Sequence, residues 1–236
     1  MRVCLSLCAA VAPVIAASTA ELVVQTGHQY VNSAHYSPDG RLIVTAGDNV
    51  ARLWDATTAT EIRVFAGHAG TVESAVFSPS GKTILTASVD QTVRLWDAAT
   101  GAEIKQIKVP TRMDNAVFSP DGSEVLTDGR DGTARQWSVQ SGELIREYKT
   151  SNNGKFANQH ISVAFSPDGR EVLTSGYSGT VQLWSSTTGV ELRRFEGYPY
   201  PSYSIAFSPD GRFILTGAAA ANDVTRLWEI ATGREI

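Results

Sequence analysis

Residues 71–97 read Thr-Val-Glu-Ser-Ala-Val-Phe-Ser-Pro-Ser-Gly-Lys-Thr-Ile-Leu-Thr-Ala-Ser-Val-Asp-Gln-Thr-Val-Arg-Leu-Trp-Asp. Three short runs in this stretch, 71–77, 82–87 and 92–96, alternate apolar and polar residues, which is the pattern of half-buried β-strands. The turn at 78–81 separates the first two runs, with Pro at its second place and Gly at its fourth, as tight reversals require. After Trp96, Ala-Ala-Thr-Gly leads to a fourth run, 103–109. The stretch therefore predicts a four-stranded antiparallel unit.

The unit repeats along the chain. Each copy carries one tryptophan in a phrase like Val-Arg-Leu-Trp-Asp, and the five are Trp54, Trp96, Trp137, Trp184 and Trp228. A second phrase, Ser-Pro-Asp-Gly or Ser-Pro-Ser-Gly, keeps step with the first and begins at Ser37, Ser78, Ser119, Ser166 and Ser208. Two phrases that recur in register mark an internal repeat. The predicted units are 27–66, 67–108, 109–149, 150–196 and 197–236.

These units resemble the WD40 family, in which Gly-His precedes the first strand, as at 67–68, and Trp-Asp ends the third, as at 96–97. The resemblance covers residues 21–236. It implies an all-β fold, a β-propeller of five four-stranded blades around a central channel, each blade dependent on its neighbours. Residues 21–26 are predicted to be a closing strand that completes the fifth blade. The pattern fits either a closed five-blade ring or part of a larger propeller.

Composition excludes several classes of function. The formal net charge is -4, and its 20 basic and 24 acidic residues are dispersed, so nucleic acid is not an expected partner. Both cysteines, Cys4 and Cys8, lie at the start of the chain, which leaves the repeats without thiols for disulfides, zinc or nucleophilic attack. No His pair or acidic cluster has ligand spacing either. We expect no metal site and no cofactor.

The first twenty residues have the layout of a secretory signal. Arg2 precedes an apolar stretch, 3–17, and the small residues Ser18, Thr19 and Ala20 follow before Glu21. The sequence predicts a signal peptide over 1–20 and an exported protein, periplasmic or extracellular. An uncleaved anchor and a stray upstream segment are the alternatives, and without a signal the protein would be cytoplasmic. The stretch is shorter than the roughly 20 residues of a membrane span, so no stable membrane insertion of the mature domain is expected.

The resemblance also implies a buried polar network in each blade, built from His, a second-strand Ser or Thr, a turn Asp and the Trp indole. A buried indole N–H needs an acceptor, and a His between hydroxyl and carboxylate is satisfied. Unit two holds the full set, predicted as His68, Ser88, Asp90 and Trp96. The other predicted members are His28, Asp48, Trp54, Asp131, Trp137, Trp184 and Trp228. Units four and five have Ser178 and Asn222 in place of Asp, so we expect apolar packing to hold those blades.

Three members of this set, His68, Ser88 and Asp90, are the residue types of a hydrolase triad. No Gly-x-Ser-x-Gly elbow accompanies them, and the predicted channel-lining strands are mostly apolar or small. A non-catalytic protein-interaction scaffold is therefore the leading interpretation. The alternatives are a propeller hydrolase or lyase with a site in the channel, and a fragment of a larger WD40 protein.

The resemblance places the usual contact face on the rim formed by the loops between blades and the second turns, opposite the Ser-Pro-Asp-Gly turns. Tyr and Arg are enriched at the energetic centres of interfaces. The predicted rim residues for a protein or peptide partner are Tyr30, Arg112, Arg130, Tyr177 and Tyr203. A longer loop, 150–159, is predicted on the same rim. If the ring closes, we expect a monomer.

Overall fold

The structure is a computed structural model that describes residues 27–150, 161–176, 179–196, 202–218 and 225–236, with backbone alone at 202, 203 and 218. The strands within these ranges are β1 (Ser33–Tyr36), β2 (Leu42–Gly47), β3 (Val50–Asp55), β4 (Glu61–Ala66), β5 (Val72–Phe77), β6 (Thr83–Ser88), β7 (Thr92–Asp97), β8 (Glu103–Lys108), β9 (Ala116–Phe118), β10 (Glu124–Thr127), β11 (Thr133–Ser138), β12 (Leu144–Lys149), β13 (Val163–Phe165), β14 (Glu171–Ser175), β15 (Val181–Ser185), β16 (Glu191–Phe195), β17 (Ser202–Phe207), β18 (Phe213–Ala218) and β19 (Arg226–Glu229). No described helix is long and apolar enough to cross a bilayer.

The strands form five antiparallel sheets, one for each predicted unit. Four sheets pair their strands in chain order, β1 to β4, β5 to β8, β9 to β12 and β13 to β16, and the fifth pairs β17, β18 and β19. We call these sheets blades one to five. Each tryptophan lies in the third strand of its blade. The predicted all-β, five-bladed fold is confirmed, and the strand bounds in blade two agree with the predicted runs to within one residue.

The Ser-Pro-Asp-Gly turns fold as their residues predict. In blade one, Ser37 donates its hydroxyl to Asp39 at 2.6 Å, and the Leu42 N–H donates back to the Ser37 hydroxyl at 2.9 Å. Gly40 has φ of +72°, in the left-handed region that glycine adopts without strain. The same serine-to-aspartate bond recurs in blades three, four and five. These turns all join a first strand to a second strand, so they share one rim, the turn rim. The second turns and the loops between blades form the opposite rim, the loop rim.

Consecutive blades pack face to face through apolar side chains. At the first junction, Val44, Leu53 and Phe65 of blade one meet Ile84 and Trp96 of blade two. The fourth-strand aromatic contacts the next blade's indole with ring centroids 5.8 Å apart, an arrangement favourable for aromatic pairs. The same contact joins blades three and four and blades four and five, at 5.7 Å in each case. Each blade therefore depends on its neighbour for burial.

A cation also clips each blade to the next. Arg63 in blade one donates to the carbonyls of Thr100 and Ala99 at 2.7 and 2.6 Å. Lys105, Arg146 and Arg193 make the equivalent bonds at the following junctions. Gly101 lies under this clip with φ of +80°, and a Cβ there would come within 2.6 Å of the Arg63 Cδ. In blade one the corresponding residue is Ala59, with φ of +56°.

Blade five differs from the other blades on one face, the face that the other blades pack against the next blade in the chain. Leu215 and Leu227 are 47% and 39% exposed, whereas Leu173 and Leu183, their equivalents in blade four, are buried. Glu235 forms a bridge with Trp228, as Glu61 pairs with Trp54 in blade one, so Glu235 lies at the start of the fourth-strand position in blade five. Residues 21–26 lie outside the described residues, and their role as a closing strand stays a prediction.

Candidate binding rim and the polar networks beneath it

A threonine in the second strand of every blade receives the indole N–H. The Trp54 Nε1–H donates to the Thr45 hydroxyl at 2.9 Å. The other four pairs have distances of 2.9 to 3.0 Å and join Trp96 to Thr86, Trp137 to Thr127, Trp184 to Thr174 and Trp228 to Thr216. All five indoles are thereby satisfied within their own blade, as buried polar groups require.

Blade two contains the complete network, and its hydroxyl is that of Thr86. His68 Nε2 lies 2.7 Å from the Thr86 hydroxyl, and His68 Nδ1 lies 2.9 Å from Asp90 Oδ2. The assignment of Ser88 to this position is wrong. Trp96 pairs directly with Ile84, so its indole reaches Thr86 on the same face, and Ser88 lies a further two residues, about 7 Å, along the strand.

Ser88 instead supports the turn at the loop rim. Its hydroxyl donates to the Gly70 carbonyl at 3.1 Å and accepts the Asp90 N–H at 3.2 Å. Asp90 also accepts the backbone N–H groups of Ala69 and Thr92, both at 2.9 Å. The sequence signal for Thr86 was available, because a threonine recurs in every second strand, whereas Ser88 has no hydroxyl counterpart at Gly47 or Gly129.

The protonation of this network follows from its burial. Burial lowers the pKa of His68 and outweighs the opposing effect of Asp90, so the imidazole is neutral at pH 7. Burial acts to raise the pKa of Asp90, but hydrogen bonds from Thr92, His68 and Ala69 outweigh it and lower the pKa to about 2. A neutral ring with Nδ1–H on the carboxylate leaves Nε2 to accept from Thr86. The hydrogen bonds therefore all point the same way. Trp96 donates to Thr86, Thr86 donates to His68, and His68 donates to Asp90.

Blade one has a looser version of the same network. His28 Nε2 lies 3.2 Å from the Thr45 hydroxyl, and Nδ1 lies 3.3 Å from Asp48 without hydrogen-bond geometry. Burial, followed by the nearby Arg52, lowers the pKa of His28. Gly47 closes this turn, and any Cβ there would collide with the Tyr30 carbonyl. The backbone at Tyr30 is thus held against the blade while its side chain is free to point outward.

Blade three has no histidine in its network, and Arg135, at the third-strand position of Arg52 and Arg94, pairs with the turn aspartate instead. Arg135 donates to both Asp131 oxygens, at 2.6 and 3.2 Å, and to Glu147 at 2.9 Å. Asp131 accepts the Thr133 N–H at 3.0 Å, so it holds the second turn as Asp90 does. The predicted Asp131 and Trp137 are both part of polar contacts in this blade, but they do not form one continuous network.

The predicted rim residues that the structure describes lie on the loop rim. Tyr30 is 60% exposed, and the Arg112 side chain is 45% exposed. Arg112 donates to Glu73 at 3.0 Å, and Arg130 binds both oxygens of Asp114 at 2.8 to 3.1 Å. Arg112 also lies 3.7 Å from Asp114, so these four side chains form one charged chain across blades two and three. Tyr177 lies outside the described residues, as does the side chain of Tyr203.

A buried carboxyl, that of Asp128, binds the backbone that carries this charged chain. Its Oδ1 accepts the N–H groups of Asp114 and Asn115 at 2.9 and 2.8 Å, and its Oδ2 is buried without a hydrogen-bond partner. Burial raises the pKa of Asp128 to about 8, so the carboxyl is protonated at neutral pH. Equivalent positions hold Ala46, Ala87 and Ser175. Sequence reasoning missed this residue, although an acidic side chain directly after β10, where other blades have small residues, was a signal.

The WD40 sequence profile, described as "WD domain, G-beta repeat", matches residues 20–55, 59–97, 111–138, 150–185 and 189–229. These ranges include all five tryptophans and more than half of the chain. The chain belongs to the WD40-repeat family. Each of the five profile matches ends where the third strand of a blade ends, and the matches that begin at 59 and 189 also include the fourth strand of the preceding blade. The match at 20–55 begins ahead of the first described strand.

Curated WD40 relatives match parts of the repeat region. The chain is 36% identical over 75 residues to the Periodic tryptophan protein 2 homolog of Dictyostelium discoideum, covering 30% of this chain and 8% of that protein. It is 37% identical over 78 residues to a guanine nucleotide-binding protein subunit beta of Zea mays, covering 29% and 20%. Pre-mRNA-processing factor 19 of Oryza sativa subsp. japonica is 33% identical over 66 residues, covering 28% and 12%. This WD40 chain spans a fifth or less of the length of these relatives.

WD40 proteins are typically non-catalytic scaffolds. The polar network of blade two has the geometry of hydrogen bonds that hold a blade together. The His68 side chain is fully buried, and its ring nitrogens face Thr86 and Asp90, with Ser88 bound elsewhere. A triad needs a nucleophile that the histidine contacts and the substrate reaches. Among the described residues of this WD40 protein, no three His, Cys, Asp or Glu side chains gather as metal ligands would.

Proposed function

We propose that the chain is an exported protein-interaction platform whose contact face is the loop rim around blades one to three. The observation that carries the proposal is the charged chain of Glu73, Arg112, Asp114 and Arg130, together with the exposed Tyr30 on the same rim. None of these residues belongs to the threonine and tryptophan pairs inside the blades. Exposed Tyr and Arg on a fixed backbone are the side chains that interfaces use as energetic centres.

The charged chain is suited to binding because its side chains are already ordered. Arg130 is held bidentately on Asp114, so little side-chain entropy remains to be lost on binding. Arg112 keeps nearly half of its side chain exposed while bound to Glu73. A partner carboxylate or carbonyl has access to Arg112 from solvent. Tyr177 and Tyr203 are proposed as further members of the same face.

The proposal is tested by paired substitutions on opposite rims. Tyr30→Ala with Arg112→Ala should remove a captured partner or weaken its binding by at least about tenfold, as loss of an energetic centre does. Arg41→Ala changes an exposed arginine on the turn rim and should leave binding intact. Thermal melts should be similar for all variants, since none of the three residues is buried. Equal binding by the loop-rim variant and Arg41→Ala would disprove a loop-rim contact face.

Export is a separate part of the proposal and has its own test. Arg2, the apolar stretch 3–17 and the small residues 18–20 support a cleaved signal. Expression of the full chain in a bacterial host should yield a mature protein outside the cytoplasm that begins at Glu21, as read by intact-mass spectrometry. An uncleaved chain recovered from the cytoplasm would contradict export.

A further inference from the structure

A polar crevice lies between blades three and four on the turn rim, opposite the proposed contact face. Its volume is about 410 Å³, within the range of pockets that hold small ligands or single side chains. Its walls include Asp121, Glu124, Gln136, Arg146 and Asp168. None of these residues belongs to the blade networks or to the loop rim.

The crevice exists where one junction departs from the apolar pattern of another. Blade one presents Leu42, Leu53 and Phe65 to Ala98 of blade two in an apolar junction. The equivalent residues at the third junction are all polar, and they are Glu124, Gln136, Tyr148 and Ser186. The other two junctions keep Leu95 with Ile107 and Leu183 with Phe195 at the central pair of positions. Three of these exchanges, at Gln136, Tyr148 and Ser186, are not explained by packing, because apolar side chains fill the same places at the other junctions.

The four polar residues are organised into a fixed floor. Tyr148 donates its hydroxyl to Gln136 Oε1, and Gln136 Nε2 donates to Glu124 at 2.6 Å. Tyr148 and Gln136 are buried, and burial raises the pKa of Tyr148, which keeps it neutral. The Ser186 hydroxyl donates to the Gly169 carbonyl at 2.7 Å. Glu124 is therefore oriented from beneath by an amide that is itself locked, as designed sites require.

The electrostatics of the lining favour a cation. Three carboxylates, Asp121, Glu124 and Asp168, line the crevice with one guanidinium, Arg146. Arg146 already donates to the carbonyls of Ser186 and Thr187, where it clips blade three to blade four. Serine hydroxyl and backbone N–H bonds lower the pKa values of Asp121 and Asp168, so both are ionised at neutral pH. Arg170 approaches Asp168 at 3.9 Å, and its side chain is 85% exposed.

We propose that this crevice binds the guanidinium of an arginine side chain presented by a protein partner, with Glu124 as its principal acceptor. Guanidinium is the planar cation that matches carboxylates bidentately and sheds water more readily than ammonium. The site would form a second contact point on the rim opposite the loop-rim face, and it does not depend on that face being used.

The test measures binding of the peptide acetyl-Gly-Arg-Gly-amide by ligand-observed NMR titration. The arginine peptide should bind, and its citrulline counterpart, which is isosteric and neutral, should bind at least about tenfold more weakly. Glu124→Gln should weaken the arginine peptide by a similar factor. Glu171→Gln, at the same strand position of blade four but outside the crevice, should leave binding unchanged.

Further arms keep the proposal open to refutation. The double variant Gln136→Leu with Tyr148→Phe introduces the leucine and phenylalanine that two other junctions have at these positions, and it should abolish binding. Asp168→Asn, at an exposed carboxylate, provides a weakening variant that does not disturb the core. Equal binding of arginine and citrulline peptides, or no binding of either, would overturn the proposal. A lysine peptide that binds as tightly would overturn the guanidinium assignment, and free L-arginine binding more tightly than the peptide would overturn the protein partner.

Discussion

Thr86→Val tests whether the threonine, and not Ser88, is the centre of the blade-two network. Valine keeps the shape of threonine but removes the hydroxyl that accepts from Trp96 at 2.9 Å and contacts His68 at 2.7 Å. Two buried polar groups then lose a partner, and each unsatisfied group costs roughly 1–3 kcal/mol. We expect Thr86→Val to lower the free energy of unfolding by about 3 kcal/mol. The indole N–H of Trp96 should also exchange with solvent faster.

Ser88→Ala is the matched control, since it removes a hydroxyl two residues away on the same strand. Ser88 bridges Gly70 and Asp90 at longer distances, 3.1 and 3.2 Å, and contacts neither His68 nor Trp96. Its loss should cost about 1 kcal/mol, the net value of an ordinary hydrogen bond. Urea unfolding followed by circular dichroism gives both energies, and NMR gives the exchange rate of the Trp96 indole proton. The reasoning fails if Ser88→Ala costs as much as Thr86→Val or speeds indole exchange equally.

Three further predictions concern single positions. Asp128 has a folded pKa of about 8, above its unfolded value, so its contribution to stability is full below about pH 4 and is lost as pH rises toward 8. Asp128→Asn should therefore flatten the dependence of unfolding free energy on pH in that window, and an unchanged slope would contradict a buried, protonated carboxyl. Asp90 has a lowered pKa of about 2, so its stabilisation of the folded protein is present above about pH 4 and is lost as pH falls toward 2. In Asp90→Asn, the free energy of unfolding should lack this fall between about pH 4 and pH 2 when it is measured by acid unfolding. Ala59→Gly should relieve about 1 kcal/mol of left-handed strain and raise Tm by about 2 °C, whereas Gly101→Ala should lower Tm, because its Cβ would meet Arg63. Equal shifts of Tm in the same direction for Ala59→Gly and Gly101→Ala would refute the role of the Arg63 clip.

The fold could be predicted because the same pattern of strands, turns and tryptophans recurs in every unit. The alternation in 71–97, the Ser-Pro-Asp-Gly turns and the spaced tryptophans gave strand order, turn positions and blade number. The acceptor of the indole was missed because Thr86 and Ser88 share one strand face. The recurrence of threonine in every second strand and the cross-strand register of Trp96 with Ile84 separate them. Residue type alone could not decide between two hydroxyls on one face.

The charges of the loop rim were predicted as individual residues but not as a connected set. Arg112 and Arg130 stood out by residue type, yet their partners Glu73 and Asp114 come from different turns and blades. Such contacts depend on how two blades are placed side by side, which no local pattern encodes. The polar floor under Glu124 was missed for a different reason, since Gln136 and Tyr148 meet across neighbouring strands of blade three and lie far apart in the sequence pattern.

Ala59 has a consequence for how this chain can be rearranged by duplication or design. Blades two to five each carry a glycine beneath the clipping cation of the preceding blade. A copy of any of these blades can therefore follow a blade that bears such a cation. Blade one carries a methyl group there, at the place where Gly101 would leave only 2.6 Å to the clipping arginine. Blades of this protein are thus not interchangeable modules, and any chimera that places a clip-bearing blade in front of blade one needs glycine at position 59.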